Sequence, residues 1–596
     1  MQGRKLSLLI LTLGLAALIL RNGPPLSAAQ GQSLPENAAA PAAAMTPAPS
    51  SPGVQGPFAG TPVSAFSFDG DVRRLPQPKA PSQPREAPRP LRRQMPSAPA
   101  RGPSAALDPV RQAQMGTLQS LTPLQNFAGL SFDGWYPPDP NGDVGPNHYV
   151  QAVNVEIGIF SKTGTPLATL YFSTLFSNAN GGAGTGTPCD NYNYGDPIVL
   201  YDATVDRWLV ADFAWSNSNG PFYECIAFSQ SGDPVSGGWW LYPLQTDLNN
   251  LGDYPKFGVW ADGIYMSANM FDSSDNFVNT RVWALNRSDM LNGAAMHYFY
   301  ANVSSAYGNL LPGNLRGSTL PPAGEPAFFA SVDQPSTFHL WKFQVNWSTL
   351  SATFTGPTNL TVANFAMPCN AATISNCVPQ PGVSSSYYLD SLGDRLMMQL
   401  QYRNLNGTES LWANHTVAAS ANTGYPTGIR WYEIRNPNGT PYVYQQGTYQ
   451  PDSNYRWMGS LAVDGFGNMA LGYSVSSSSV YPSIRYTGRL VTDTLGTLPQ
   501  AETTLMAGTG SQAVYCSGQP CNRWGDYSAM TIDPTDDCTF WYTNEYYTST
   551  GGNWQTRIGS FRLASTSPPP PPPSGAYLYY FPVIAKAGGS ASPHCN

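Results

Sequence analysis

Six residues in this chain stand at the openings of strand-like stretches and carry side chains suited to acid–base chemistry or to holding an acid. They are Asp196, Asp253, Glu325, Arg456, Arg523 and Asp526. Trp457, Trp524, Tyr254 and Tyr527 stand next to or near them. Carboxyl groups brought together from separate strands form the acid/base pair of glycoside hydrolysis. Arginine holds the carboxylate of an acidic sugar through two parallel hydrogen bonds, and aromatic faces stack on sugar rings. The pattern gives a candidate catalytic set, Asp196, Asp253, Glu325 and Asp526. It also gives a candidate ligand-binding set, Arg456, Trp457, Arg523, Trp524, Tyr254 and Tyr527. The same residues have a structural reading, in which each Asp bonds backbone amides of the next unit and an Arg neutralises it. Repetition favours that reading, because a catalytic site is seldom repeated from unit to unit.

A second cluster, Asp139, Asn141 and Asp143 in DPNGDVG, alternates oxygen-bearing side chains as Ca²⁺ loops do. The twelfth position of an EF-hand loop, which needs Glu, is Val150 here, so an Asx-turn is the plainer reading. Calcium is the one cofactor expectation. No GxSxG or HExxH occurs, and His148, His297, His339 and His415 lie in strand-like or turn contexts that suit packing.

These residues need elements to position them. RWGDYSAMTIDPTDDCTFWYTNEY, Arg523 to Tyr546, reads as two strands around an Asp-rich turn. The pattern returns at Arg456 with the turn DGFGN, at Asp253 with the turn Asp262-Gly263, and more loosely at Ile198 to Phe213 and Tyr387 to Tyr402. A unit recurring every roughly 55–70 residues is the signature of a repeat architecture. Strand-pair openings fall near His148, Asp196, Asp253, Glu325, Tyr387, Arg456 and Arg523, each followed by a further hairpin-like piece. Four strands per unit over 125–565 predict an all-β fold, a β-propeller of about seven blades. The last unit is short, which predicts ring closure by N-terminal strands.

The 596 residues include 57 Gly and 56 Pro, and only 11% are charged. Of 30 Lys/Arg and 37 Asp/Glu, residues 1–124 hold 12 and 5, and the tail after 565 holds Lys586 alone. The body therefore keeps 17 basic and 32 acidic residues, a net of −15. An acidic body argues against a nucleic-acid partner. Residues 1–29 read as a signal peptide, with Arg4 and Lys5 before an apolar run, Leu6 to Leu20, that is too short to span a membrane. Residues 30–124 are rich in Ala and Pro and read as a disordered linker, basic in its middle. Residues 566–574 form a polyproline spacer and 575–596 a C-terminal tail. No transmembrane span is expected after signal removal, and the expected location is secreted or cell-surface.

Eight cysteines in an exported chain predict disulfides. The expected pairs are Cys189–Cys225, Cys369–Cys377 and Cys516–Cys521, with Cys538 and Cys595 as the remainder.

The motifs PDPNGDVGPNHYVQAVN, GDPIVLYD, DYPKFGVW, DRLMMQLQYRN, NHTV, GIRWYEIR, RWMGSLAVDG, YPSIRYTGR and RWGDYSAM span residues 126–563. Through them the chain resembles a family of exported bacterial β-propeller-like proteins. The resemblance implies the fold and imports no catalytic residue. A looser likeness to sialidase-type propellers departs at the SxDxGxTW box, for which PTDDCTFW is a distant echo. The expected function is a secreted or surface-associated propeller that binds a glycan or an extracellular protein. The alternatives are a glycoside hydrolase or lyase using the channel carboxylates, and a structural envelope protein.

Overall fold

The inner strands of this chain are buried on both faces. In Ile198–Asp202, Val199 and Tyr201 enter one apolar core while Ile198 and Leu200 enter the next. Such strands read as continuous apolar runs, and the fold must stack one sheet against another to cover them. The computed structural model describes residues 53–77, 85–86, 108–370, 376–419, 426–516 and 518–563. The expected signal peptide, polyproline spacer and C-terminal tail lie outside the described residues, as does the partner of Cys538 expected at Cys595.

The protein is a seven-bladed β-propeller. Blade 1 runs Asn141–Val144, His148–Val153, Glu156–Ser161 and Pro166–Tyr171. Blade 2 runs Ile198–Asp202, Arg207–Trp215, Phe222–Ser229 and Trp239–Asp247, and blade 3 Leu251–Val259, Gly263–Phe271, Phe277–Asn286 and Tyr298–Ser304. Blade 4 begins at Leu311–Leu315, blade 5 at Met397–Leu405, blade 6 at Tyr455–Val463 and blade 7 at Ala529–Ile532. Each first strand lies against the first strand of the next blade, and Ala529–Ile532 lies against Asn141–Val144, which closes the ring. The fourth strand of blade 7 is Gln125–Ser131, antiparallel to Trp554–Arg562 with Phe127 opposite Ile558. The N-terminal closure expected from the short last unit is therefore present.

The apolar cores lie between neighbouring blades. Tyr265 and Val282 of blade 3 meet Phe328 and Phe343 of blade 4, and Trp412 and Trp431 of blade 5 meet Leu461 and Leu471 of blade 6. Burying one such side chain contributes about 1.5–3 kcal/mol, so cohesion is spread around the whole ring.

Three expected openings shift. His148 begins the second strand of blade 1, because Asn141–Val144, expected to be a turn, is its first. Glu325 precedes the second strand of blade 4, Ala327–Asp333. Tyr387 lies in a 3-10 turn, and the following Leu389–Asp390 pairs with Asn376–Val378 and not with the first strand of blade 5. Parts of the expected linker are also built into blades. Val54–Ala59 adds a fifth strand to blade 3, Phe66–Phe68 one to blade 2, and Arg111–Gln112 pairs with blade 5. Backbone pairing at a sheet edge needs little side-chain apolarity, so an Ala/Pro-rich composition did not signal these strands.

The disulfides Cys189–Cys225, Cys369–Cys377 and Cys516–Cys521 are formed, and Cys538 is disulfide-bonded as well. Among the described residues no helix is long and apolar enough to cross a membrane.

Candidate functional site at the ring axis

Left-handed residues, each followed by Pro, stand just before the first strands of blades 1 and 2, at Asp139 (φ 45°) and Asp196 (φ 52°), and inside that of blade 3, at Tyr254 (φ 55°). Asp tolerates this conformation better than most residues because its short side chain bonds locally. Near the axis the buried carboxyls of Asp139, Asp196, Asp253 and Asp526 interact electrostatically with Lys256, Arg395 and Arg523.

The geometry here is tight. Lys256 Nζ sits 3.6 Å from the centre of the Tyr254 ring and 4.1 Å from that of Tyr527, and donates to the Pro255 carbonyl at 2.8 Å. The Arg395 guanidinium lies 4.5 Å from the Tyr254 ring and is bound by Asp394 at 2.7 Å. Arg523 donates to Asp526 at 3.0 Å, and the Asp526 amide donates to Asp139 at 2.6 Å. Asn154 donates to the other Asp139 oxygen at 2.7 Å and accepts the Asp196 amide at 2.9 Å. One oxygen of Asp196 is buried without a hydrogen-bond partner.

Burial sets the electrostatics. It pushes the Asp196 carboxyl up to about 7, with the charge of Asp253 adding to the shift. Burial likewise pushes Asp253 up to about 7 against the pull of Arg395, and brings Lys256 down to about 8. Asp139 is raised well above the usual carboxylate range by burial and by the neighbouring Asp526. Groups poised near neutrality suit proton transfer. Acid–base work, however, separates a proton donor from an acceptor by pushing two values apart, and Asp196 and Asp253 move together.

Access is the second obstacle. Asp196, Asp253 and Asp526 are each 3% exposed and Lys256 is 1% exposed. Two loop stretches close over them. Val378, Leu389 and Leu392 from the blade 4–5 connection share one apolar cluster with Cys516, Cys521, Tyr254, Trp457, Trp524 and Tyr527. The two stretches are tied by Asp390 amide to Asn522 carbonyl at 2.9 Å and by Gln512 amide to Gln380 at 2.7 Å. The axis below is filled too. Arg316 of blade 4 reaches Asp143 of blade 1 at 2.5 Å, and Gln399 of blade 5 reaches the Met530 carbonyl of blade 7 at 2.8 Å.

The remaining expected residues go elsewhere. Glu325 stands away from the axis and accepts from Asn438 at 2.8 Å. Arg456 is fully buried between Asp452, at 2.7 Å, and Glu502, at 2.8 Å. Trp457 and Trp524 lie in the core with ring centres 5.6 Å apart, so neither offers a face to a sugar. Asn141 accepts the Val199 amide at 3.1 Å, and Asp143 accepts the Tyr201 amide at 2.8 Å. Asp139, Asn141 and Asp143 thus join blades and do not converge on a cation, and no group of three metal-binding His, Cys, Asp or Glu side chains occurs among the described residues. Lys256, Arg395 and Asn154 were missed in the sequence. Lys256 carries the only usable signal, a lysine inside the otherwise uncharged YPKFGVW that follows Asp253.

No protein-family model matches the chain, and neither does any curated protein. Among solved structures, the Dos1 propeller aligns at 8% identity and TM-score 0.30, over 71% of this chain and 77% of that one. An α-L-arabinofuranosidase from Fusarium graminearum aligns at 10% identity and TM-score 0.27, over 77% and 99%. An exo-β-1,3-galactanase from Phanerochaete chrysosporium aligns at 8% identity and TM-score 0.26, over 74% and 99%. Likeness at this level carries no argument about site or substrate.

Proposed function

We propose that this is a secreted or surface-associated binding propeller whose ligand is a neutral glycan, held without cleavage on the loops that close the axis. The observation that carries this reading is the composition and exposure of those loops. Residues 376–388 and 508–522 contain no charged residue and are rich in Tyr, Ser, Gly, Asn and Gln. Tyr515 is 63% exposed, and its ring lies 6.1 Å from that of Tyr387 at 86°. Rigid tyrosines beside adaptable amides and hydroxyls are the chemistry of binding loops at large, and the lack of charge suits a hydroxyl-rich neutral ligand. The disulfides Cys369–Cys377 and Cys516–Cys521 staple the two stretches, which lowers the entropy lost on binding. Three disulfide pairs in the described residues agree with an oxidising location.

The test is affinity electrophoresis of the full chain through gels containing neutral polysaccharides. The expected result is retardation, weakened about tenfold by Tyr515→Ala or Tyr387→Ala and unchanged by Glu325→Gln. Retardation by none of the polysaccharides, with capture of an extracellular protein instead, would move the ligand class from glycan to protein.

A further inference from the structure

A cleft of about 600 Å³ follows the seam where the ring is closed. One wall is the closing strand Gln125–Ser131 and the turn after it; the other is formed by the outer strands of blade 1, Glu156–Ser161 and Pro166–Tyr171. Phe127, Phe132 and Phe160 line it together with two carboxyl residues, Asp133 and Glu156. One Asp133 oxygen accepts the Trp135 amide at 3.0 Å, and the other is buried with no hydrogen-bond partner. Asp133 is 5% exposed and Glu156 8%. Among the described residues no Lys or Arg lines the cleft, and the nearest lysine along blade 1, Lys162, is bound to Asp533 at 2.5 Å. Tyr171 is the other titratable group on the walls.

We infer that this seam cleft binds an organic cation, an alkylammonium group on an apolar stem. A buried carboxylate without a counter-charge is costly, and a cationic ligand supplies that charge to both acids at once. The phenylalanine faces attract the same ammonium and bury its stem. The net charge of −15 on the body raises the local concentration of cations. A bare Ca²⁺ is a poorer fit, because it needs six to eight oxygen ligands and two carboxyls stand here.

Protonation gives the site a signature. Burial pushes Glu156 up to about 7, and burial with the charge of Glu156 pushes Asp133 well above the carboxylate range. A carboxyl must lose its proton to hold a cation, so binding releases protons and tightens as pH rises through about 7.

The experiment is titration calorimetry of the full chain with benzylamine and, separately, with pentalysine, in buffers of different ionisation heat. The expected result is one benzylamine site, proton release, and tighter binding at about pH 8 than at about pH 6. Glu156→Gln weakens it about tenfold or more while the melting temperature is kept, and Asp133→Asn acts in the same direction. Pentalysine binding more tightly than benzylamine at the same site identifies a peptide lysine as the source of the ammonium, and weaker binding identifies a free amine. Absence of benzylamine binding at about pH 8 would overturn the inference. So would equal affinity in the wild type and Glu156→Gln, which would place the amine on the acidic surface at large.

Discussion

Arg456 and Asp253 show how charged residues at similar positions in a blade serve two ends. Both stand near the start of a strand and both are buried; Asp253 suits a catalytic reading and Arg456 a ligand-binding one. Arg456 is fixed between Asp452 and Glu502 with Tyr449 and Tyr473 beside it. Replacing it by Met leaves Glu502 buried with Arg485 as its one cation and Tyr473 as its remaining donor, and should destabilise the protein by about 3–5 kcal/mol, measured by denaturant unfolding. Asp253 sits among the axial charges and is raised to about 7. A carboxyl with a raised folded value binds its proton more tightly in the native state. Its contribution is complete below the unfolded value of 3.8 and is lost as pH rises to about 7. Between those limits the wild type should therefore lose more melting temperature with rising pH than Asp253→Asn, whose amide mimics the protonated form. A parallel pH dependence in the two proteins would show that Asp253 titrates normally.

At the scale of the element, hairpins with Asp-rich turns were legible, because β-branched and aromatic runs around Asp-Gly or Asp-Pro need no tertiary knowledge. DGFGN and DPTDD both join a first strand to a second, as expected. The first strands of blades 1 and 4, NGDV and LPGNL, were not legible. Their side chains bond the backbone of neighbouring blades: Asn141 takes the Val199 amide, and Asn314 the Val259 amide at 3.1 Å. These two axial strands therefore carry Asn, Asp and Gly where strand propensity asks for Val and Ile. Asn314→Ala should cost about 1–3 kcal/mol, since it leaves the buried Val259 amide and Gln399 short of a partner. The edge strands also give a prediction. Deleting residues 1–77 uncovers the outer edges of Trp239–Asp247 and Tyr298–Ser304, so the truncated protein should associate in size-exclusion chromatography where the full chain does not.

Over the whole molecule, the propeller explains why polar residues that suited a catalyst are out of reach. A ring of seven first strands needs its axis filled, and Arg316, Asp143 and Gln399 fill it, while two stapled loop stretches cover the end where Asp196, Asp253, Lys256 and Asp526 gather. The approximate number of blades could be read from the repeat spacing, and the closure by an N-terminal strand from the shortness of the last unit. The covering loops could not, since nothing in a Tyr/Ser/Gly stretch says which surface it will lie on. In the function proposed above, ligand is held on these loops and not cleaved beneath them. The most direct measurement follows retention and new reducing ends together, on one panel of polysaccharides, with the full chain. Retention without new reducing ends, equal in the wild type and Asp253→Asn, is the predicted result. New reducing ends that vanish in Asp253→Asn would contradict it and make the buried axis an active site.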